Sequence, residues 1–211
     1  KIIKIKNKYK LAISINGKIQ YFYIKFIFEN YLKNVLNSIS IFLALNNIDK
    51  LNKKSFFDIK ISDGRGDISR IKIKMKKINF IDESYNANPL SVNSALKNFN
   101  DIKKKFKEKK ILILGDMLEL GKHSRHLHKN LSKSINNTDI DKVYIYGKYV
   151  KYVFDGLRSS KKGLILRNFN EIVNLIKYKI NNNDYLMIKG SNSTGLNKLS
   201  SILKKGKINA L

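Results

Sequence analysis

Residues 78–89 read Ile78-Asn79-Phe80-Ile81-Asp82-Glu83-Ser84-Tyr85-Asn86-Ala87-Asn88-Pro89. An apolar run ends in a crowded polar turn, and a segment with helical periodicity follows. That order predicts a strand feeding a helix, with the turn at the strand's C-terminal end, where open α/β sheets bind ligands. Pro89, the single proline of the chain, stands where a first helical residue would. Its fixed φ suits that place, and Asn88 can cap the exposed N–H groups. A well-made connection accounts for the cap. Two acids, a tyrosine and two asparagines in so short a turn exceed what capping needs, so 82–89 also reads as a site. On these residues alone both readings stay open.

Outward from this turn the chain alternates between strand and helix. Strands are predicted over 71–74, 78–82, 110–114, 142–146, 163–166 and 185–188, and helices over 89–106, 124–136, 147–155, 169–181 and 194–204. The predicted fold is α/β: a Rossmann-like, mostly parallel six-stranded sheet with helices on both faces. Val92, Leu96, Phe99, Ile102 and Phe106 fall on one face of the 89–106 helix and read as a core stripe. The Lys103-Lys104-Lys105 run reads as its solvated end, where cations suit the dipole. Residues 1–27 alternate in polarity around Asn16-Gly17, a hairpin signature. Residues 31–46, with Leu32, Val35, Leu36, Ile39, Phe42 and Leu43, predict a helix, and a short second one is expected over 49–57. Ser62-Asp63-Gly64-Arg65-Gly66-Asp67 is the most loop-like stretch. A domain boundary is placed there, giving 1–63 and 64–211.

Composition narrows the function. Without cysteine there are no disulfides, thiolate metal sites or cysteine nucleophiles. The longest apolar run, 39–45, is far short of the roughly 20 residues that span a bilayer, and no signal peptide is expected. A cytoplasmic protein is expected, without membrane association. The chain lacks an initiator methionine and opens in strand-like sequence, so a fragment of a longer protein is expected. A net charge of +27 invites a nucleic-acid reading. Yet only five of 43 basic residues are arginine (65, 70, 125, 158 and 167), and readers of phosphates and bases favour arginine's bidentate fork. Lysine dispersed among Ile and Asn is what A+T-rich codons encode. Compositional bias is the simpler source of the charge, and no specific nucleic-acid partner is expected.

Two further strand ends carry polar motifs. Gly115-Asp116-Met117-Leu118-Glu119-Leu120-Gly121 follows Ile111–Leu114, and Asp116 and Glu119 are expected to project above the sheet edge. The glycine spacing and His123 after Lys122 exclude a phosphate loop of the Walker type. Lys189-Gly190-Ser191-Asn192-Ser193-Thr194 follows 185–188 and opens a helix. A lysine, a glycine and free N–H groups make an anion cradle there, and a plain cap by Ser193 or Thr194 is the alternative. His123, His126 and His128 cluster, but no carboxylate or cysteine lies at ligand spacing. No metal site and no catalytic residue are assigned.

In this order the motifs resemble those of the Mur ligase family, in particular the ligases that add D-alanyl-D-alanine to UDP-N-acetylmuramoyl-tripeptide. Asp82–Pro89 resembles the family's Asp-Asp-Ser-Tyr-Asn-Ala-Asn-Pro, with Glu83 the one change. Gly115–Gly121, followed by His128, resembles its second signature, and Lys189-Gly190-Ser191 the start of its Lys-Gly-Ser-Arg motif. The resemblance implies that 1–63 is the end of a central ATPase domain (hairpin plus helices) and 64–211 the C-terminal domain. It implies an ATP-dependent amide ligase of peptidoglycan precursor synthesis, acting through an acyl phosphate and expected to be a monomer. ATP contacts would come from Asn34, Asn37, Arg65, Asp82 and Glu83, and substrate contacts from Tyr85, Asn86, Asn88, Lys189 and Ser191. The phosphate loop and Mg2+ ligands would lie upstream, so this chain is expected to be inactive alone. Asn192 stands where the family has arginine, and Glu29–Lys33 have lost the adenine-loop glycine, arginine and histidine. A basic nucleic-acid-binding module and an eroded, inactive remnant of the ligase are the alternatives.

Overall fold

The computed structural model describes residues 1–6, 8–27, 29–59 and 62–210. Their contacts divide the chain into two units, Lys1–Lys60 and Ile61–Leu211.

In the first unit β1 (Ile2–Ile5), β2 (Lys8–Ile15) and β3 (Lys18–Ile24) form an antiparallel sheet in that order. Asn16 and Gly17 both adopt positive φ, 48° and 76°, the geometry of the two-residue turn that matches strand twist. The predicted hairpin is therefore present, extended by β1 into three strands. Helix α1 (Glu29–Leu45) lays Val35 and Ile39 against Leu11, Phe22, Ile24 and Phe56. Leu36, expected in its apolar stripe, is 41% exposed. The short helix expected over 49–57 shrinks to a 3-10 turn at Ile48–Lys50, followed by irregular turns. Asn52 accepts the Lys54 N–H there and diverts the backbone from helix.

The second unit holds the six-stranded sheet. Its strands are β4 (Asp67–Ile73), β5 (Lys76–Glu83), β6 (Lys110–Gly115), β7 (Lys142–Tyr146), β8 (Lys162–Leu166) and β9 (Tyr185–Lys189), in the order β4-β5-β9-β6-β7-β8. Only β4 runs antiparallel to its neighbour. Alternate residues of β6 serve opposite faces, as a pleated strand requires. Ile111 and Ile113 pack with α5 (Phe169–Tyr178) and α6 (Leu196–Lys204). Leu112 and Leu114 pack with α2 (Pro89–Asp101), α3 (Ser124–Asn136) and α4 (Lys151–Asp155). The parallel α/β sheet covered on both faces is thus the fold the alternation predicts.

Helix α2 starts as the sequence requires. Asn88 Oδ1 accepts the Ser91 N–H at 2.8 Å, Ser91 Oγ accepts the Asn88 N–H at 3.0 Å, and Pro89 occupies the first turn. Val92, Ala95, Leu96 and Phe99 are buried; each larger side chain contributes about 1.5–3 kcal/mol on burial. The helix ends at Asp101, short of the expected 106, because Ile102 turns extended at ψ 123°. Phe106, expected in the core stripe, is fully exposed. The lysine run lies beyond the helix, and Lys104 pairs with Asp141 instead of meeting a helix dipole.

Candidate functional site

The order β5-β9-β6 places the last strand between two whose following helices, α2 and α3, lie on the face opposite its own α6. The carboxyl ends of these three strands therefore flank the crevice where such sheets take ligands. All three polar motifs meet there, tied by hydrogen bonds. The Ser191 N–H donates to Asp116 O at 3.0 Å, and Ser191 Oγ accepts the Leu118 N–H at 2.9 Å while donating to Ala87 O at 3.3 Å. Lys189 Nζ donates to Glu83 O at 3.2 Å and to Asn86 O, and lies 3.6 Å from Glu83 Oε2.

These bonds change what several residues are free to do. Lys189 is 1% exposed and Ser191 6%, so neither offers its polar group to a substrate anion as expected; both hold the neighbouring strand ends. Burial lowers the Lys189 pKa and raises that of Glu83, because an ion pair at 3.6 Å only partly offsets lost hydration. Asp82 is buried as well. Its Oδ1 accepts from Ser84 Oγ at 2.6 Å, and its Oδ2 lies 2.7 Å from Lys204 Nζ. Asn88 spends its side-chain oxygen on the α2 cap. Exposed at the mouth are Arg65, Tyr85 and Asn86. The Arg65 guanidinium lies 4.7 Å from the Tyr85 ring centroid, a cation–π distance. Asn34 and Asn37 are exposed on α1 of the first unit.

Asp116 and His128 also turn inward. Instead of projecting above the edge, the Asp116 carboxylate accepts the N–H groups of Lys148, Tyr149 and Val150 at 2.9, 2.9 and 2.7 Å. The turn at 147–150 winds around this carboxylate, so α4 begins only at Lys151 instead of the expected 147. Gly147 has φ 141°, and a Cβ there would come 2.5 Å from Asp116 Cγ, which leaves no room for a side chain. Glu119 alone of the two acids stays exposed.

His128 is fully buried. Its Nδ1 lies 2.7 Å from Ser124 O, which can only accept, and its Nε2 takes the Met117 N–H at 3.0 Å. That pair of bonds assigns the neutral ring with the proton on Nδ1, and burial correspondingly lowers its pKa. A histidine held neutral contributes stability that is full above its unfolded pKa, about 6.5, and is lost as pH falls through and below that value. Urea unfolding midpoints are accordingly expected to drop between pH 7.5 and 5.0, with a flatter profile in His128→Gln. Parallel profiles in the two proteins would refute the assignment.

Among the described residues no group of three or more His, Cys, Asp or Glu could hold a metal ion. The carboxylates of Asp63, Asp67 and Asp82 converge, but Lys204 already occupies their centre. The residues at this cluster therefore do not fit magnesium, and we assign that ion no ligand among the described residues.

A cavity of about 830 Å3 opens beside the second and third of these motifs and the ends of β7 and β8, lined by Asp116, Leu118, Tyr146, Gly147, Lys148, Lys151, Ile165, Leu166, Arg167, Ser193 and Thr194. Its one acid is spent on the 148–150 turn and the Thr194 hydroxyl donates to Ser191 O at 2.6 Å, which leaves Lys148, Lys151 and Arg167 beside the hydroxyls of Tyr146 and Ser193. The sequence reading missed these three cations. A usable signal existed, since Gly147-Lys148 and Arg167 directly follow strands β7 and β8.

Residues 68–192 match the family model for "Mur ligase, glutamate ligase domain". The chain belongs to the Mur ligase family. It is 30% identical to a UDP-N-acetylmuramoyl-tripeptide–D-alanyl-D-alanine ligase of Rickettsia prowazekii over 90% of its own length and 40% of that protein. A ligase of the same name from Buchnera aphidicola subsp. Baizongia pistaciae is also 30% identical, over 94% and 41%. Among solved structures, MurF ligase of Thermotoga maritima in complex with ADP superposes with a TM-score of 0.76 at 16% identity, covering 100% of this chain and 46% of that one. MurF of Acinetobacter baumannii gives 0.76 at 21% identity, covering 97% and 44%. These likenesses show the fold. The chain spans about 40% of the length of these curated relatives. No helix among the described residues is long and apolar enough to cross a membrane.

Proposed function

We propose that this chain is the C-terminal part of an ATP-dependent ligase that joins D-alanyl-D-alanine to UDP-N-acetylmuramoyl-tripeptide in peptidoglycan precursor synthesis. The observation that carries the reading is the convergence of three family motifs on one crevice at the carboxyl ends of β5, β9 and β6. In this reading residues 1–63 are the end of the ATPase domain and 64–211 the C-terminal domain, in a cytoplasmic, monomeric enzyme. The tripeptide carboxylate takes the γ-phosphoryl group of ATP. The dipeptide amine then attacks the acyl phosphate, and the tetrahedral intermediate expels phosphate. Such chemistry rests on positioning and on neutralising charge.

Within that scheme Arg65 faces the ATP phosphates, with Asn34, Asn37 and Glu83 as further nucleotide contacts. Tyr85 and Asn86 line the dipeptide side. Asp82, Asn88, Lys189 and Ser191 serve by holding the loops that present these groups. The cationic cavity takes the dipeptide's terminal carboxylate on Lys148, Lys151 and Arg167, with the Ser193 hydroxyl as a further donor. Catalysis requires the phosphate loop and magnesium ligands expected upstream.

The test is a calorimetric titration of the 211-residue chain with D-alanyl-D-alanine and with its C-terminal amide. Binding of the acid is expected to exceed that of the amide at least about tenfold, a difference lost in Arg167→Ala, as for a charge-assisted contact. No dipeptide-dependent ADP release is expected from this chain. Equal binding of acid and amide would sink the cavity assignment, and ADP release would refute inactivity. The +27 charge keeps a nucleic-acid module as the second reading. Oligonucleotide binding with a steep salt slope and no dipeptide effect would favour it.

A further inference from the structure

Lys204, the last residue of α6, is the most heavily shared cation of the second unit. Its Nζ lies 2.7 Å from Asp82 Oδ2, 2.8 Å from Asp67 Oδ2 and 3.0 Å from Asp63 Oδ1. Burial works against its charge, yet the hydrogen bonds to Asp67, Asp82 and Asp63 outweigh that and raise its pKa. Two of the three acids bracket the loop 63–67, and the third is the penultimate residue of β5. The loop lies flat on that strand end: the Gly66 N–H donates to Asp82 O at 2.7 Å, and Gly64 O accepts the Tyr85 N–H at 3.1 Å. Gly64 adopts φ 76°, and a Cβ there would sit 2.8 Å from Tyr85 N, so only glycine allows this approach. Between the two glycines stands Arg65, on the Tyr85 ring.

We propose that Lys204 is a positioning residue for Arg65: by gripping Asp63 and Asp67 at both ends of the loop against Asp82, it fixes where the guanidinium is presented at the mouth of the crevice. The role of that guanidinium toward phosphate rests on the function proposed above. The Asp63 side chain separates positioning from bulk stabilisation. It is 94% exposed, so its pair adds almost nothing to global stability, yet it holds one end of the loop.

An Arg-specific protease reads the loop directly in the native 211-residue chain, since Arg65 is exposed and one of only five arginines. Cleavage after Arg65, measured against cleavage after Arg125, reports local opening. Lys204→Gln is expected to accelerate cleavage at Arg65 about tenfold or more with Arg125 unchanged, and Lys204→Arg to restore the slow rate to within about threefold. Asp63→Asn is expected to accelerate Arg65 cleavage about threefold with an unchanged unfolding midpoint; it serves alone should Lys204→Gln fail to fold. Unchanged Arg65 cleavage in these variants, or rates at both arginines rising together, would overturn the proposal. Inorganic tripolyphosphate is expected to protect Arg65 more than Arg125. Missing protection with the variant effects intact would overturn the phosphate role alone and leave Lys204 as the residue that fixes the loop.

Discussion

Lys189→Met is expected to lower the unfolding free energy by about 3–5 kcal/mol, the range for removing one partner of a buried charge pair. Methionine keeps the length and apolar stem of lysine but donates nothing. The carbonyls of Glu83 and Asn86 lose the ammonium that now satisfies them, each at roughly 1–3 kcal/mol where water cannot replace it. The Glu83 carboxylate loses its counter-charge in surroundings that already raise its pKa. Without Lys189 that pKa rises further above its unfolded value, so the variant keeps more stability at low pH and loses it as pH rises. The gap between parent and variant should therefore widen from pH 5 to pH 8. Urea melts at both values check it, and adding Glu83→Gln should recover part of the loss at pH 8. A gap under about 1 kcal/mol would mean that the ammonium reaches water, since that is all an exposed pair contributes.

Asp116→Ala should cost about 3 kcal/mol through a different route, by stranding three N–H donors at 148–150 at about 1 kcal/mol each. Gly147→Ala should cost a comparable amount, because its Cβ would collide with the same carboxylate. The double variant should cost clearly less than the sum, since both changes dismantle one turn. Thermal or urea melts of the four proteins close the cycle. Full additivity would show that the turn does not depend on Asp116. Tyr146, Gly147 and Lys148 line the cavity, so either change should also weaken dipeptide binding more than it perturbs the far side of the sheet.

How far the sequence reaches follows from the range of the forces involved. Strand and helix identities in the second unit were legible because burial imposes periods of two and 3.6 on local sequence. Asn16-Gly17 and Asn88-Pro89 were legible because one turn geometry demands those residues. Helix ends were not. Phe106 continues the α2 stripe in sequence, yet the backbone leaves the helix at Ile102 and carries it into solvent. The site was legible as a set of strand ends that would meet, but not in the direction each side chain takes. Asp82, Lys189 and Asp116 look like ligand-facing groups in a polar motif. Each finds partners far along the chain, at Lys204, Glu83 and residues 148–150, and turns inward. No pattern local to α6 marks Lys204, because its meaning lies in acids more than a hundred residues earlier.

The position of β9 bears on how this chain acquires its shape during synthesis. Of the six strands of this sheet, β9 comes last in sequence yet lies inside it, hydrogen-bonded to β5 on one side and β6 on the other. Until it emerges from the ribosome, the β4–β5 pair and the β6–β7–β8 group must wait as half-sheets with open inner edges, the kind of surface that invites pairing with other molecules. Such long-range closure slows folding. Chains truncated before residue 185 should thus be far stickier than those that include β9, the keystone that ends that exposure.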